Sequence, residues 1–382
     1  MAKRLAVCLL AAALCLVQGG CWNYESLDQI NIVVGAAVDY DKKSKQYDVS
    51  FELADLAKAQ KESAIKGRII RSRGKTIFDA VRNAKRQDAD RLFFGSCSVL
   101  IISQELAREQ GIDRVIEWFL RDGESRETMY VAISQNETAG EILESSESSS
   151  GIISASLFDM LSEDLEITGT ADNIKLYQVH NTLKSPRKAV LIPVVRRIKV
   201  GKEKVCELNG EAVIKEGRLT GFLPPEQTRY ALLIENKLKG GIITLSSSGG
   251  ETEDISLEIL KNISRKSFRH EDGKITVKIE TDTKVALGEN QNYLDPMDKK
   301  VIEKIQKAAS LKIESGVRDL IHTMQNEYRA DTFGFGEMIY EKKPKLWKEL
   351  SSSWDRIYPT VEIDVTAKVE IINAALIKCE GN

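Results

Sequence analysis

The sequence predicts a multi-domain α+β protein with mixed and antiparallel sheets, each packed by helices, and a C-terminal antiparallel sheet covered by a long helix. Residues 32–38 form an apolar run and residues 47–53 alternate apolar with polar, so they predict two strands joined by a polar turn. Two longer strand-like segments flank Asp272-Gly273, a strong hairpin signal. A helix-periodic segment then begins at Asp295-Pro296. Strands and helices that do not alternate regularly favour α+β over α/β.

The N-terminal domain, predicted over residues 21–197, combines both element types. A Ser/Glu-rich tract at 144–151 lacks apolar residues and predicts a surface loop. Around that loop, helical spacing and apolar runs predict helices at 76–87, 104–120, 137–143 and 157–165, a buried strand at 92–102 and another strand at 129–133.

A small middle domain (203–250) and a C-terminal domain (253–375) are predicted next. Five basic residues between Arg196 and Lys204 follow an apolar strand at 190–195, which suggests a solvated connector at a domain boundary. A contact with anionic headgroups is the alternative, at about 1 kcal/mol per charge. The remaining predicted elements are a hairpin at 208–223, a helix at 225–238, strands at 255–268 and 275–287, helices from 295 and from 334 to about 350, and a last strand at 361–371.

The first twenty residues have the pattern of a signal peptide. Lys3 and Arg4 precede an apolar run at 5–17, and Gly19-Gly20 stand directly before Cys21. The run suits a secretory signal and is shorter than the roughly 20 residues of a membrane-spanning helix. Small residues before a cysteine predict cleavage there and a diacylglycerol-type lipid on Cys21, although Gln18 is unusual. An ordinary secretory signal with a chance cysteine is the alternative.

Composition and cysteine count exclude several classes of protein. The 382 residues carry 55 basic and 57 acidic side chains, without the basic excess of a nucleic-acid-binding protein. Six cysteines are too sparse for a disulfide framework. Cys97 lies in a strand-like run and predicts a buried thiol, whereas Cys206 and Cys379 are far apart, and their pairing stays open.

The residues that carry chemistry form no catalytic or metal-binding pattern. His180, His270 and His322 share no metal-ligand spacing. Gly74-Lys75-Thr76 resembles the end of a phosphate-binding loop, but Ile69 stands where such a loop needs glycine, so a turn into a helix is the better interpretation. The sequence therefore predicts no enzyme activity, no metal and no cofactor.

Two aromatic residues follow the proposed lipid site, in the pattern Trp22-x-Tyr24. Aromatic rings settle at the headgroup level of membranes, so these side chains could seat the protein on the bilayer. Alternatively, Trp22 packs into the first domain. The sequence leaves both open.

Several short motifs, in order along almost the whole chain, resemble the Ger(x)C family of spore germination lipoproteins. The resemblance begins at Cys21-Trp22-Asn23-Tyr24-Glu25 and departs from the usual family pattern at Gln18, Asn23 and Tyr358. The other matching motifs are Ile32 to Asp39, Phe93-Phe94-Gly95, Val99 to Ser103, Phe119-Leu120-Arg121-Asp122, Gly210-Glu211-Ala212-Val213, Leu219-Thr220-Gly221, Asp331-Thr332-Phe333-Gly334-Phe335-Gly336, Pro344-x-x-Trp347 and Trp354-x-x-x-Tyr358-Pro359.

This resemblance implies a three-domain α+β lipoprotein on the outer face of the spore inner membrane. Such a protein is the C-subunit of a nutrient germinant receptor, beside an A-subunit and a transporter-like B-subunit. The absence of a catalytic pattern agrees with a role in assembly or scaffolding. A lipid-anchored solute-binding protein is the alternative, although the hairpin signals argue against its two repeated α/β lobes.

Overall fold

Two β-sheets form the framework of the part of the chain that the structure describes. In the computed structural model this part comprises residues 1, 4, 30–55, 66–88, 90–145, 151–245, 255–290 and 298–374. The larger sheet has the strand order β3-β2-β1-β5-β6-β7-β8-β9, with β4 beside the start of β1. Its strands are β1 Ile30–Asp41, β2 Gln46–Asp55, β3 Lys66–Gly74, β4 Arg91–Phe93, β5 Val99–Ser103, β6 Tyr130–Ser134, β7 Ala189–Val200, β8 Glu203–Lys215 and β9 Arg218–Leu223.

The centre of the larger sheet is parallel, and antiparallel hairpins extend it on both sides. Strands β1, β5, β6 and β7 run parallel to one another, whereas β2 and β3 on one side and β8 and β9 on the other pair antiparallel. The hairpin predicted at residues 32–53 is confirmed, with Tyr40 opposite Tyr47. The larger sheet is therefore mixed, as the sequence predicted.

Helices cover both faces of the larger sheet, and β5 shows why. Leu100 and Ile102 point to one helix layer while Val99 and Ile101 point to the other, and all four side chains are fully buried. A strand buried on both faces has a continuous run of apolar residues in its sequence. The helices are α1 Ile77–Ala84, α2 Gln104–Glu109, α3 Asp113–Arg121 and α6 Leu176–Lys184 on the first face, and α4 Gly140–Leu143 and α5 Ile153–Ile167 on the second.

The smaller sheet has the order β10-β11-β12-β13 and packs against a long helix. Its strands are β10 Ile242–Leu245, β11 Ile255–Glu271, β12 Lys274–Asn290 and β13 Glu362–Ala374. Helix α8, Lys299–Thr323, buries Ile305, Ala309, Ile313, Val317 and Leu320 at helical spacing. The remaining elements are α7 Pro225–Ile234, a π-helical turn Met324–Tyr328, α9 Phe335–Lys342, α10 Pro344–Leu350, α11 Trp354–Ile357 and two 3₁₀ turns, Ser351–Ser353 and Tyr358–Thr360.

The predicted fold class, α+β with a long helix on the C-terminal sheet, is confirmed. One detail differs, because β13 runs parallel to β12 while the other pairs in this sheet are antiparallel. Parallel strands need a crossover connection. Helix α8 and the elements after it form that crossover.

Predictions from local sequence pattern misplaced several boundaries of helices and strands. The run at 92–102 forms two strands, β4 and β5, instead of one. The predicted helix 104–120 is two helices, because Gly111 has φ +79° and Ile112 donates its N–H to the Gly217 carbonyl. The segment after 334 is likewise split, at Pro344, and α6 had no sequence prediction. Asp298 caps α8 through Lys300 N, whereas the predicted start at Asp295-Pro296 lies outside the described residues.

The predicted middle domain, 203–250, contributes to both sheets. Its first two strands, β8 and β9, extend the larger sheet. Its helix α7 packs on the core of the smaller sheet, to which β10 belongs. The division into three domains stays a prediction. The basic stretch 196–204 is the tip of the β7–β8 hairpin, not a connector, and Arg196 there pairs with Glu207.

Candidate functional site

The predicted lipid-attachment residue, Cys21, lies outside the described residues, as do Trp22 and Tyr24. The first described strand, β1, begins at Ile30, which pairs with Arg91 of β4. The chain therefore enters the larger sheet at the end where its parallel strands begin.

The described cysteines are not activated nucleophiles. Cys97 is buried, and burial raises the pKa of its thiol to about 12, so the thiol stays protonated at neutral pH. The Cys206 thiol lies 3.1 Å from the Ser145 hydroxyl. Cys379 lies outside the described residues, so its pairing with Cys206, which the sequence left open, stays open.

The Gly74-Lys75-Thr76 segment is a turn into α1, as interpreted from the sequence. Thr76 Oγ1 accepts a hydrogen bond from Asp79 N at 3.1 Å and caps the helix. A Cβ on Gly74 would lie 2.2 Å from the backbone N of Ala80. The glycine therefore allows close packing of strand and helix.

Two absences are observed over the described ranges. No group of three or more His, Cys, Asp or Glu side chains there is placed to hold a metal ion. No helix there is both long enough and apolar enough to cross a membrane.

A buried charge network where the two sheets meet is the candidate functional site. Arg187, just before β7, lies 3.3 Å from Glu235 at the end of α7 and 3.2 Å from Glu337 in α9. Lys266 of β11 lies 2.6 Å from Glu235. Burial raises the pKa of Glu235, but Arg187 and Lys266 outweigh it and hold that pKa below its ordinary value. The four charges therefore neutralise one another across the junction.

The Asp331 carboxylate orders the adjacent motif, residues 331–336. It accepts hydrogen bonds from Phe335 N at 2.9 Å, Gly336 N at 2.7 Å and Trp354 Nε1 at 3.0 Å. A carboxylate at a helix N-terminus satisfies free N–H groups and complements the helix dipole. Burial nevertheless raises the pKa of Asp331 above its ordinary value. Asp331 thus ties the start of α9 to α11.

Two glycines in this motif make room for the junction. Gly334 has φ +69°, and a Cβ there would lie 2.6 Å from Arg187 Nη2. A Cβ on Gly336 would lie 2.7 Å from the Trp347 ring and 2.8 Å from Trp354 Nε1. The glycines therefore let the guanidinium and the two indoles approach the backbone.

A second group of charges lies deeper in the junction. Glu211 of β8 accepts a hydrogen bond from Asp172 N at 2.5 Å, and the Asp172 carboxylate pairs with Lys237. Glu211 is fully buried, and its other carboxylate oxygen has no partner among the described residues. Burial, together with the Asp172 charge, raises the pKa of Glu211 well above its ordinary value. A cavity of about 50 Å³ adjoins these side chains.

A larger cavity opens beside the network at the surface. Its volume is about 300 Å³, and Trp354 and Tyr358 line it with Lys188 and Arg329. The Tyr358 hydroxyl is buried and has no hydrogen-bond partner among the described residues. At this junction the charged groups position elements of the two sheets. None of the arrangements described above pairs a nucleophile with a base.

Sequence reasoning identified the motifs here but not their geometry. Asp331, Trp347, Trp354 and Tyr358 stood out as a family signature, and the structure brings them together around α9. Arg187 was missed because a single arginine in a loop carries no local pattern. Glycines beside aromatic residues were the available signal of close packing.

Comparison with known proteins shows which class of protein has this fold. Two family models match, "Spore germination protein N-terminal domain" over residues 23–197 and "Spore germination B3/ GerAC like, C-terminal" over residues 209–374. The protein is thus of the spore-germination class. It belongs to the Ger(x)C family, as its sequence motifs indicated.

Full-length relatives and one solved structure agree with this assignment. Spore germination protein B3 of Bacillus subtilis is 25% identical, over 93% of this chain and 94% of the relative. Spore germination protein KC of the same organism is 24% identical, over 97% and 96%. The crystal structure of the GerBC protein aligns with a TM-score of 0.59 at 21% identity, covering 89% of this chain and 97% of that one, so it has the same fold.

Proposed function

We propose that this chain is the membrane-anchored lipoprotein subunit of a spore germinant receptor, needed for nutrient-triggered germination. In this proposal it assembles or scaffolds the A- and B-subunits and catalyses no reaction. The observation that carries the proposal is the family match, which extends over both halves of the chain. The printed names of its relatives are those of spore germination proteins.

The junction supports a role as an assembly body. Arg187, Glu235, Lys266 and Glu337 are paired with one another and largely buried, so they are not available to act on a substrate. Lys215 of β8 adds further contacts, at 2.7 Å to the Arg329 carbonyl and 2.7 Å to Asp355. Such contacts fix the surfaces of two sheets relative to each other, which suits binding to several partners at once.

Anchoring through Cys21 would set the orientation of the molecule on the outer face of the spore inner membrane. A diacylglycerol group carries two acyl chains, enough for stable attachment. Residues 22–29 span at most about 28 Å. The end of the larger sheet at Ile30 would therefore lie close to the membrane.

The β7–β8 hairpin would then point away from the lipid. The strand register places Val38 of β1 beside Ile102 of β5, Ile102 beside Ile133 of β6, and Ile133 beside Val194 of β7. Val38 and Val194 therefore lie at the same height along the strands. At about 3.3 Å per residue, the hairpin tip beyond Val200 lies roughly 45 Å from Ile30 along the strands. This placement disfavours contact between lipid headgroups and the basic stretch 196–204. Arg196 and Arg197 pair with Glu207 and Glu141, and the exposed residues 199–204 would face a protein partner.

Pull-down of the receptor from dormant spores tests the proposal. Native protein should fractionate with membrane and carry the A- and B-subunits, whereas Cys21→Ala should be lost from both. Cys206→Ala is the matched control and should behave like the native chain. If Cys21→Ala remains fully with membrane and partners, the lipid is dispensable and the anchoring proposal fails.

A thermal-shift screen against amino acids and sugars separates this role from the solute-binding alternative. The isolated chain should show no stabilisation by germinants. Clear stabilisation by one of them would favour a solute-binding protein that presents nutrient to a membrane partner.

A further inference from the structure

A groove of about 560 Å³ lies between α1, α3 and β4, and no role described above uses it. We refer to it as the α1–α3 groove. The lining residues that matter for its chemistry are Phe78, Arg82, Lys85, Leu92, Phe94 and Trp118.

The floor of the α1–α3 groove is apolar and aromatic. Leu92 and Phe94 are buried, and the Phe94 and Trp118 rings meet edge to face with centroids 5.7 Å apart. At the rim, Phe78 is 53% exposed, and the Arg82 guanidinium lies 4.9 Å from the centre of its ring. Aromatic side chains pair favourably in this geometry, so the groove suits another aromatic ring.

The groove lies where the chain enters the larger sheet. Ile30 and Asn31 pair with Arg91 and Leu92, two residues that line the groove. The Asn31 side-chain amide also donates to the Asp90 carbonyl at 3.4 Å. The chain therefore enters the larger sheet at the edge of the groove.

The preceding segment is long enough to cover it. Residues 22–29 reach at most about 28 Å when extended. Helix α1, which forms one wall, has eight residues and is about 12 Å long. The segment can therefore follow the whole groove.

The chemistry of the segment complements that of the groove. Residues 22–29 read Trp-Asn-Tyr-Glu-Ser-Leu-Asp-Gln, with three large apolar side chains and two carboxylates but no cation. The groove offers an aromatic floor and, on the α1 side of its rim, the cations Arg82 and Lys85. On the opposite side Arg91 pairs with Glu124, and Asp90 and Asp122 also line the groove. The aromatic rings of the segment match the floor, and its carboxylates match the α1 side of the rim.

We propose that residues 22–29 of the same chain occupy the α1–α3 groove, with the Trp22 and Tyr24 rings on the Phe94–Trp118 floor and Glu25 and Asp28 facing Arg82 and Lys85 on the α1 side of the rim. Docking places Trp22 in the protein rather than in the bilayer. It also shortens the free tether between the sheet and Cys21. The proposal needs no lipid on Cys21, so it can fail or hold independently of the anchoring proposal.

Fluorine NMR of the mature chain from residue 21, made with Cys21→Ser and 5-fluorotryptophan, tests this docking. The chain has four tryptophans, and the Trp22 signal is the one lost in Trp22→Phe. The readout is the change in each signal between H₂O and D₂O, which reports exposure of the ring. Trp22 should show the small change of a buried ring, as Trp354 does.

Variants distinguish docking in the groove from other burial. In Phe78→Glu, the change in the Trp22 fluorine signal between H₂O and D₂O should rise to that of an exposed ring. Leu311→Glu, a matched change at a 56% exposed leucine of α8, should leave it unaltered. A separate arm with Trp22→Ala should lower Tm relative to the Cys21→Ser chain.

Three outcomes would overturn the proposal. The first is full solvent exposure of Trp22 in the parent chain. The second is protection that develops only when vesicles of phosphatidylglycerol and phosphatidylcholine are added, which would place the ring at headgroups. The third is protection that disappears on dilution, which would indicate a second copy of the chain.

Discussion

Glu314 of α8 accepts a hydrogen bond from the backbone N–H of Ala367 in β13, with 3.0 Å between Oε1 and N. Two further pairs repeat this contact: Ser310 with Val369 N at 3.0 Å and Gln306 with Ile371 N at 2.9 Å. Four helical residues rise about 6 Å, and two strand residues rise about 6.6 Å. The spacing of side chains at every fourth helical position therefore matches the spacing of every second N–H along the strand. Helix α8 covers this edge of the smaller sheet.

Glu314→Ala should lower the free energy of unfolding by about 1–2 kcal/mol, because it leaves the Ala367 N–H without its charged acceptor. Urea denaturation measures the change. Glu314→Gln keeps an acceptor in place and should lose less than half as much. Equal losses in the two variants would show that the carboxylate charge, rather than the strand contact, stabilises this position.

Gly334→Ala should destabilise the protein more than Gly201→Ala. Both glycines have positive φ, +69° and +62°, so both substitutions cost about 1–2 kcal/mol of backbone strain. Nothing lies within 4 Å of a Cβ at Gly201, whereas one at Gly334 meets the Arg187 guanidinium. We expect an additional loss of at least about 1 kcal/mol at Gly334 in denaturant melts. Equal losses would mean that Arg187 moves aside at no cost.

Arg187→Met should lower the free energy of unfolding by about 2–3 kcal/mol, because Glu337 loses its partner while Glu235 keeps Lys266, so one carboxylate charge is unpaired in a largely buried site. The figure is below that for full burial, since the Arg187 side chain is 20% exposed. Arg196→Met is the matched control. Its pair with Glu207 is 42% and 39% exposed and should be worth at most about 1 kcal/mol. Comparable losses in urea melts would contradict a special role for the junction.

Glu211 should make the protein less stable as the pH rises. Its pKa is raised in the folded state, so above the ordinary Glu pKa of about 4.3 the folded chain binds more protons here than the unfolded chain. The destabilisation therefore grows with pH until the folded pKa is passed, and it is absent below the unfolded pKa. Glu211→Gln removes this titration.

Urea melts of both chains from pH 4 to pH 8 measure the effect. The stability of the native chain relative to Glu211→Gln should fall with rising pH. Parallel curves would show that folding leaves the pKa of Glu211 at its ordinary value. Carboxyls that do not interact with Glu211, including Glu235 with its lowered pKa, titrate alike in both chains and cancel in the comparison.

Elements specified by local pattern could be predicted from the sequence. Alternation and turn residues placed the β1–β2 and β11–β12 hairpins, and helical spacing placed most of α8. These signals depend on neighbours a few residues away. The break at Gly111 depends instead on the Gly217 carbonyl, which lies far along the chain, so the sequence showed one helix where there are two.

The candidate site could be predicted only in part, for the same reason. Asp331 and the aromatic residues after it form a compact motif that is visible in the sequence. Arg187 and Glu337, by contrast, are 150 positions apart and acquire their roles only when the two sheets meet. Cys21 was predicted from a signal pattern, and its modification stays a prediction.

The β7–β8 hairpin has a dynamic consequence. Pairing of β6 with β7 ends at Val195, and Arg197 and Cys206 beyond it still contact Glu141 and Ile142 of α4. Past these contacts the exposed end of the hairpin, residues 199–204, is a two-stranded ribbon. Near its tip, Lys199 lies opposite Lys204, and like charges facing each other across strands repel. Two strands without a supporting layer are only marginally stable in water. Local opening should therefore start at this tip, and its amide hydrogens should exchange with solvent well before those of the parallel core.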